Sequence, residues 1–214
     1  MEGGTKLRMT GFATRYQVNL SVVREAMIRL AGDGLVKALP QRGFCVSPLS
    51  PEDLLDLTRS QVLIETVTLR KATDQGDLAW ESAVIAAHHT LQKTTYTGGE
   101  GQFHGTCSQA HNAFHRALLE GAGSPRLEST ATKLRDCSLL YRHWSLPSGQ
   151  DPYRDAVNED RTIAELAVAR DGTGAAAALK EHFERATAVL LAYSQQTNAA
   201  LSGGSMTGPA KGHA

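Results

Sequence analysis

The stretch "HNAFHRALL", residues 111–119, sets His111 and His115 four positions apart in a segment with helical periodicity. Side chains at i and i+4 stand over one another on a helix, so the two imidazoles share a face, with the spacing of a metal chelate. Two ligands do not close a divalent site, which takes about four, so the pair has chemical meaning only if other elements bring further ligands to it. A second chemically apt set lies near the N-terminus. Asn19, Ser21 and Arg24 fall in the first turns of one predicted helix, and Arg42 and Gly43 sit in a predicted turn. Short polar side chains with the free N–H groups of a helix N-terminus grip phosphate. Gly lets a backbone approach closely, and Arg suits a narrow groove.

The elements that must position these residues divide the chain of 214 residues in two. Lys plus Arg and Asp plus Glu both number 22, so the overall charge names no partner. The distribution is more telling: residues 1–48 hold seven basic and three acidic residues, leaving 15 against 19 for the rest. A basic head on an acidic body points to an N-terminal nucleic-acid module. Cys45, Cys107 and Cys137 are an odd, scattered set without CxxC spacing, which suits reduced thiols in the cytoplasm and neither a disulfide framework nor a zinc ribbon. The chain shows no charged-then-apolar leader and no apolar run near the ~18 residues of a membrane span, so a cytoplasmic protein without membrane association is expected.

In the head, "FATRYQ" forms a short helix. "LSVVREAMIRLAGDG" forms a longer one, capped by Asn19 and stopped at Gly34. The intervening Val18-Asn19 corner makes the pair a helix-turn-helix. "LVKAL" and "GFCVSPL" read as two short strands around "PQR", giving a basic-tipped hairpin. Together they outline a winged helix-turn-helix, whose second helix enters the major groove while the wing meets the backbone or minor groove. After residue 50 helical periodicity dominates. Ser50 caps a helix with Pro51 at its first position and two carboxylates in its first turn, and further helices span about 78–94, 106–121, 124–144, 151–171 and 173–197. The fold class is therefore mostly α: a winged helix-turn-helix over 1–48, an all-helical bundle over 49–197, and a Gly-rich tail over 198–214 expected to be disordered.

The stretch "VNLSVVREAMIRLAGDGLVKALPQRGFCV" resembles the signature of GntR-family transcription regulators, through Val18, Val23, Arg24, Glu25, Ala26, Leu30, Gly34, Leu35, Val36, Arg42, Gly43 and Val46. "FHRALLEGAGSPRL" is similar to the signature of the FCD bundle, the all-helical effector domain of the FadR subfamily, so the resemblance covers about residues 4–195. It implies DNA contacts by Arg24, Asn19, Ser21, the wing residues Arg42 and Gly43, and Thr10, aligned just before the first helix of the head. An ion pair is the structural alternative for Arg24, and Lys6 and Arg15 read as solvated charge. Leu20 stands where the family carries a basic residue; it cannot read guanine bidentately but can touch a thymine methyl, so the operator should differ from that of Arg-bearing relatives. The family's winged helix begins with one more helix than this chain supplies. Either the start was assigned too late or the head has lost that helix, and the intact DNA-facing residues favour the first.

The resemblance also implies how the histidine pair is completed. Many FCD bundles hold a divalent metal with one Asp and three His. Here His115 and His182 occupy two of the family's ligand positions, His111 stands where Asp is usual, and Asp160 stands where His is usual. The two departures offset one another, leaving three imidazoles and one carboxylate. That inventory suits Zn²⁺ first, with Ni²⁺ or Mn²⁺ as the other ions. His88 and His89 are adjacent and face apart, and His104 is expected in a loop before the helix. Arg142, Tyr141 and Tyr153 are the candidates to line an effector cavity, with Arg142 able to clamp a carboxylate bidentately. The implied function is a homodimeric regulator binding double-stranded operator DNA, in which a small carboxylic acid, a short dicarboxylate such as glutarate as the first guess, controls operator affinity beside the metal. Two other classes stay open at this point. A sensor of metal and organic acid without DNA binding would follow from an incomplete head, and a metal-dependent hydrolase or isomerase from an open coordination position.

Overall fold

The computed structural model describes residues 3–97, 103–145 and 155–203, with side chains described over 3–94, 107–141 and 155–192. The head contains β1 (Lys6–Leu7), α1 (Met9–Tyr16), α2 (Leu20–Gly32), β2 (Val36–Leu39) and β3 (Gly43–Val46). Asn19 starts α2 as its sequence position predicts: its side chain accepts from the Val22 amide at 2.9 Å, satisfying one of the free donors of the first turn. Gly34 turns the chain from α2 toward β2 with φ +80°, a conformation costly for residues with a Cβ. The strands form an antiparallel sheet in the order β1-β3-β2, with Val36 opposite Val46 and Leu7 opposite Phe44. Leu7, Val23, Met27, Val36, Phe44 and Val46 form the head's small core, with Phe12 and Leu30 packed against it.

Two details of the head differ from expectation. β1 is only two residues long and carries no periodic signal; it exists because β3 offers it a pairing edge. Helix α1 begins at Met9, ahead of "FATRYQ", so Thr10 lies on the exposed side of that helix and not before it.

The body is built from α3 (Pro51–Gln75), α4 (Leu78–Thr97), α5 (Phe103–Glu120), α6 (Pro125–Ser145), α7 (Ala156–Val168) and α8 (Gly172–Gly203). Ser50 caps α3, its hydroxyl accepting from the Asp53 amide at 3.1 Å. Leu69, Val84, Phe114, Leu118, Ile163 and Leu179, from α3, α4, α5, α7 and α8, are fully buried in one core. A second cluster joins Leu54 and Leu57 of α3 to Tyr141 of α6 and Leu190 of α8.

Several boundaries move. α5 starts at Phe103, so His104 lies within a helix and not in a loop ahead of it. α7 spans Ala156–Val168, beginning after its cap Asp155 and ending short of the 171 read from periodicity, where Arg170 leaves the helix with φ +63°; residues 151–154 lie outside the described residues. α8 continues to Gly203, beyond the expected boundary at 197, because Ala199, Ala200 and Leu201 are good helix formers that extend an established helix. The rest of the expected tail, 204–214, lies outside the described residues. Among the described residues, no helix is long and apolar enough to cross a membrane.

Candidate metal centre and nucleic-acid interface

Three helices meet at the histidine pair. α5 contributes His111 and His115 from successive turns, α7 contributes Asp160 and α8 contributes His182. The Nε2 atoms of His111 and His115 are 3.2 Å apart. Asp160 lies 3.8 Å from His111 Nε2 through Oδ2, and Oδ1 lies 3.6 Å from both His115 Nε2 and His182 Nδ1. One donor atom from each of the four residues falls within 4.8 Å of every other. His115, Asp160 and His182 are buried and His111 is half-buried, which leaves one side of the group accessible.

This donor set fits a divalent ion. Four ligand atoms at about 2.1 Å in tetrahedral directions lie about 3.4 Å from one another; the contacts of Asp160, counting either oxygen, and of the His111–His115 pair run from 3.2 to 3.8 Å, and one donor atom from each residue lies within 4.8 Å of the others. Buried charged and polar groups are costly unless paired or coordinated, and three imidazoles around one carboxylate are a composition that coordination explains. Glu159 adds a neighbour that sequence reasoning missed. Its Oε2 is 3.1 Å from His182 Nδ1 and its Oε1 is 3.4 Å from Arg185 Nη1. Glu159 and Asp160 both face Nδ1 of His182, so Glu159 shares the ring nitrogen that faces the other donors and does not hold the ring from its far nitrogen. Helical periodicity alone does not turn two consecutive residues toward one site, so Asp160 gave no reason to expect Glu159 there as well.

A cleft opens beside His111, lined by Gln61, Asn112, Arg135, Ser138 and Thr187 among others. Arg135 is buried and donates from Nη1 to Glu65 Oε2 at 2.9 Å, and Gln61 donates to the other Glu65 oxygen at 3.2 Å. Arg135 was missed in the sequence, although it shares a helical stripe with buried Ala131 and with Ser138 and Leu139, the one signal that could have found it.

Tyr141 does not line this cleft. It is 2 % exposed, donates its hydroxyl to the Asp53 carboxylate and accepts from the Ser50 amide at 3.4 Å, so it fastens α6 to the first turn of α3. Its expected ligand role gives way to this packing role, since the hydroxyl proton and one lone pair are engaged by Asp53 and Ser50. The side chain of Arg142 and the whole of Tyr153 lie outside the described residues.

On the head, Thr10, Asn19, Leu20, Ser21, Arg24 and Arg42 are all exposed, and Leu20 exposes 50 % of its surface. Asn19 spends its side chain on the helix cap. Arg24 has no carboxylate partner among the described residues, against the ion-pair alternative. Arg42 is at the tip of the β2–β3 hairpin, and Gly43 opens β3 with φ +91°.

A helix-turn-helix head with a β-hairpin wing, joined to a helical bundle with its own buried polar cluster, has the architecture of a DNA-binding regulator. The FCD-domain family model matches residues 56–185, and the model described as bacterial regulatory proteins, gntR family, matches 1–46. The chain belongs to the GntR family of DNA-binding transcription regulators, in the group whose second domain is an FCD domain.

It is similar to the HTH-type transcriptional regulator BphR of Paraburkholderia xenovorans, 29% identical over 89% of this chain and 78% of that protein. It is also similar to the HTH-type transcriptional repressor GlaR of Escherichia coli, 28% identical over 83% of this chain and 82% of that protein. The solved structure of E. coli McbR/YncC shares the fold, with a TM-score of 0.79 and 19% identity, over 92% of this chain and 90% of that one. The relatives are named as regulators, not enzymes, which sets aside the hydrolase or isomerase reading.

Proposed function

We propose that this regulator holds one divalent metal, Zn²⁺ first with Ni²⁺ or Mn²⁺ as the other ions, on His111, His115, Asp160 and His182. In this reading it binds a small carboxylic acid in the adjoining cleft, and that occupancy sets the operator affinity of a FadR-type homodimer through Arg24, Ser21 and the wing. The observation that carries the metal reading is the exchange of ligand types between α5 and α7. His replaces the family's usual Asp at 111, Asp replaces His at 160, and the two side chains lie 3.8 Å apart. A pair that swaps identity while staying in contact preserves the charge and donor count of one site. The metal would supply a fixed positive centre toward which an acid's carboxylate is drawn. His111, the least buried of the four, stands on the cleft side. An acid acts as effector only if it binds one arrangement of the two heads more tightly than the other.

The test is metal content and its dependence on the exchange. Purified protein should carry close to one divalent ion per chain, and His115→Ala and Asp160→Ala should each reduce that occupancy. His111→Asp combined with Asp160→His should bind nearly as well as the parent, whereas each single change should bind worse. Harmless single changes would sink the reading, because the two positions would then not share one ion.

A further inference from the structure

Resting on the effector reading above, we propose that Arg135 takes the acid's carboxylate on the unused edge of its guanidinium, and that α6 carries this occupancy to the DNA-binding head. The first half stands on an incomplete hydrogen-bond set. Arg135 is 4 % exposed and lines the cleft, and its Nη1 is committed to Glu65. Its Nε is buried and has no hydrogen-bond partner among the described residues. A buried guanidinium N–H left without an acceptor is costly, and the planar Nε–Nη2 edge matches a carboxylate bidentately. A ligand carboxylate completes that fork while Glu65 keeps Nη1. Phe183, whose ring lies 5.9 Å from the guanidinium carbon, backs the plane.

The second half stands on the geometry of α6. At about 100° per residue, positions 133 and 137 lie within about 40° of one another, and 135 points about 160° from both. The face opposite Arg135 grips the end of the DNA-reading helix. Lys133 pairs with Asp33 at 3.2 Å, and the Cys137 thiol donates to the Asp33 carbonyl at 3.3 Å. A Cβ on Gly34 would sit 3.4 Å from Cys137 Sγ, so the two surfaces are in close contact. Burial, with Asp136, Asp53 and Asp33 nearby, pushes the Cys137 thiol up, which keeps it protonated as the donor. Tyr141, one turn further along, holds Ser50 and Asp53, where the chain leaves the wing. One rigid helix therefore touches the cleft, the end of α2 and the start of α3. A shift that optimises Arg135 on a ligand moves all three contacts together.

The experiment uses the full chain, with glutarate, succinate and acetate as probes, reading thermal shift for binding and fluorescence anisotropy on DNA from upstream of its own gene for response. Arg135→Lys keeps a cation beside Glu65 but loses the fork, so acid affinity should fall about tenfold. Lys133→Ala with Cys137→Ala should keep the acid-induced thermal shift while the acid's effect on operator affinity falls toward onefold. Should Arg135→Lys fail to fold, spectra of the parent labelled with nitrogen-15 arginine decide the same point. Glutarate should then protect one additional Nε–H from solvent exchange. Unchanged acid affinity in Arg135→Lys, no newly protected Nε–H, or a full DNA response in the double variant overturns this inference alone. If no acid shifts the parent, the effector reading falls as well, while the metal reading is judged separately by metal content.

Discussion

Tyr141 shows how a single side chain can be placed correctly in a helix and wrongly in a role. It is an aromatic with a polar tip near the end of α6, the composition of a ligand-pocket residue. Its hydroxyl instead meets the Asp53 carboxylate and the backbone of Ser50. Tyr141→Phe should therefore lower stability by about 1–3 kcal/mol, the range for a buried hydrogen bond to a charged group, measured by urea denaturation, and leave acid binding in place. Burial first, then the bond to Asp53, raises the Tyr141 phenol above its ordinary 10.0. A group with a raised folded pKa contributes stability that is fully present below its unfolded value and is lost as pH rises past it. The parent should thus lose stability above pH 10 through this residue, and Tyr141→Phe should lack that part of the alkaline loss. An identical alkaline profile in both proteins would remove Tyr141 as its source.

At the scale of elements, α2 has one buried edge, Val23 and Met27, and otherwise faces outward. Exposed Leu20, Val22 and Ile28 make that outward face unusually apolar for a helix expected to read DNA, while Arg24 keeps it charged. Arg24→Ala should weaken operator binding by about 1–3 kcal/mol, the range for a bidentate base or phosphate contact. Gel shift on the folded variant would check this, and unchanged affinity would remove α2 as the reader. Leu20→Arg is the companion measurement. It should strengthen binding to guanine-bearing sites at the expense of the parent's own operator, since Leu can offer only apolar contact to a thymine methyl. Binding by the parent should also fall steeply with salt, because each phosphate contact releases counterions.

The whole molecule joins two cores of unequal size. The head buries six apolar side chains in its own cluster, whereas the bundle's main cluster draws on most of its helices. Small cores open more often, so amide exchange should be faster over residues 3–46 than in α3, α5 and α8. Uniform slow exchange would show that the head borrows its stability from the bundle or from a partner copy. Chelation adds a second contrast that rests on the metal reading. Removing an ion that binds the folded state alone should speed exchange around His111, Asp160 and His182 and leave the head's own core unaffected.

Sequence periodicity and capping determined most of the helices, because local signals such as Ser50-Pro51, Asn19 and the Gly-bearing breaks act on neighbouring residues. The same locality explains what was legible at the site. His111 and His115 share a helix and were paired by spacing alone, whereas Asp160 and His182 were reached only through family resemblance. Elements without a local signal came from the tertiary structure. β1 needs β3 beside it, and α8 runs into a tail whose composition alone reads as irregular. The structure also decided that Glu159 shares the face of His182, that Tyr141 leaves the cleft for Asp53, and that Glu65 and Arg135, 70 positions apart, form one buried pair. A charge can be buried only where another element brings its partner, and the chain order of Glu65 and Arg135 carries no record of that meeting.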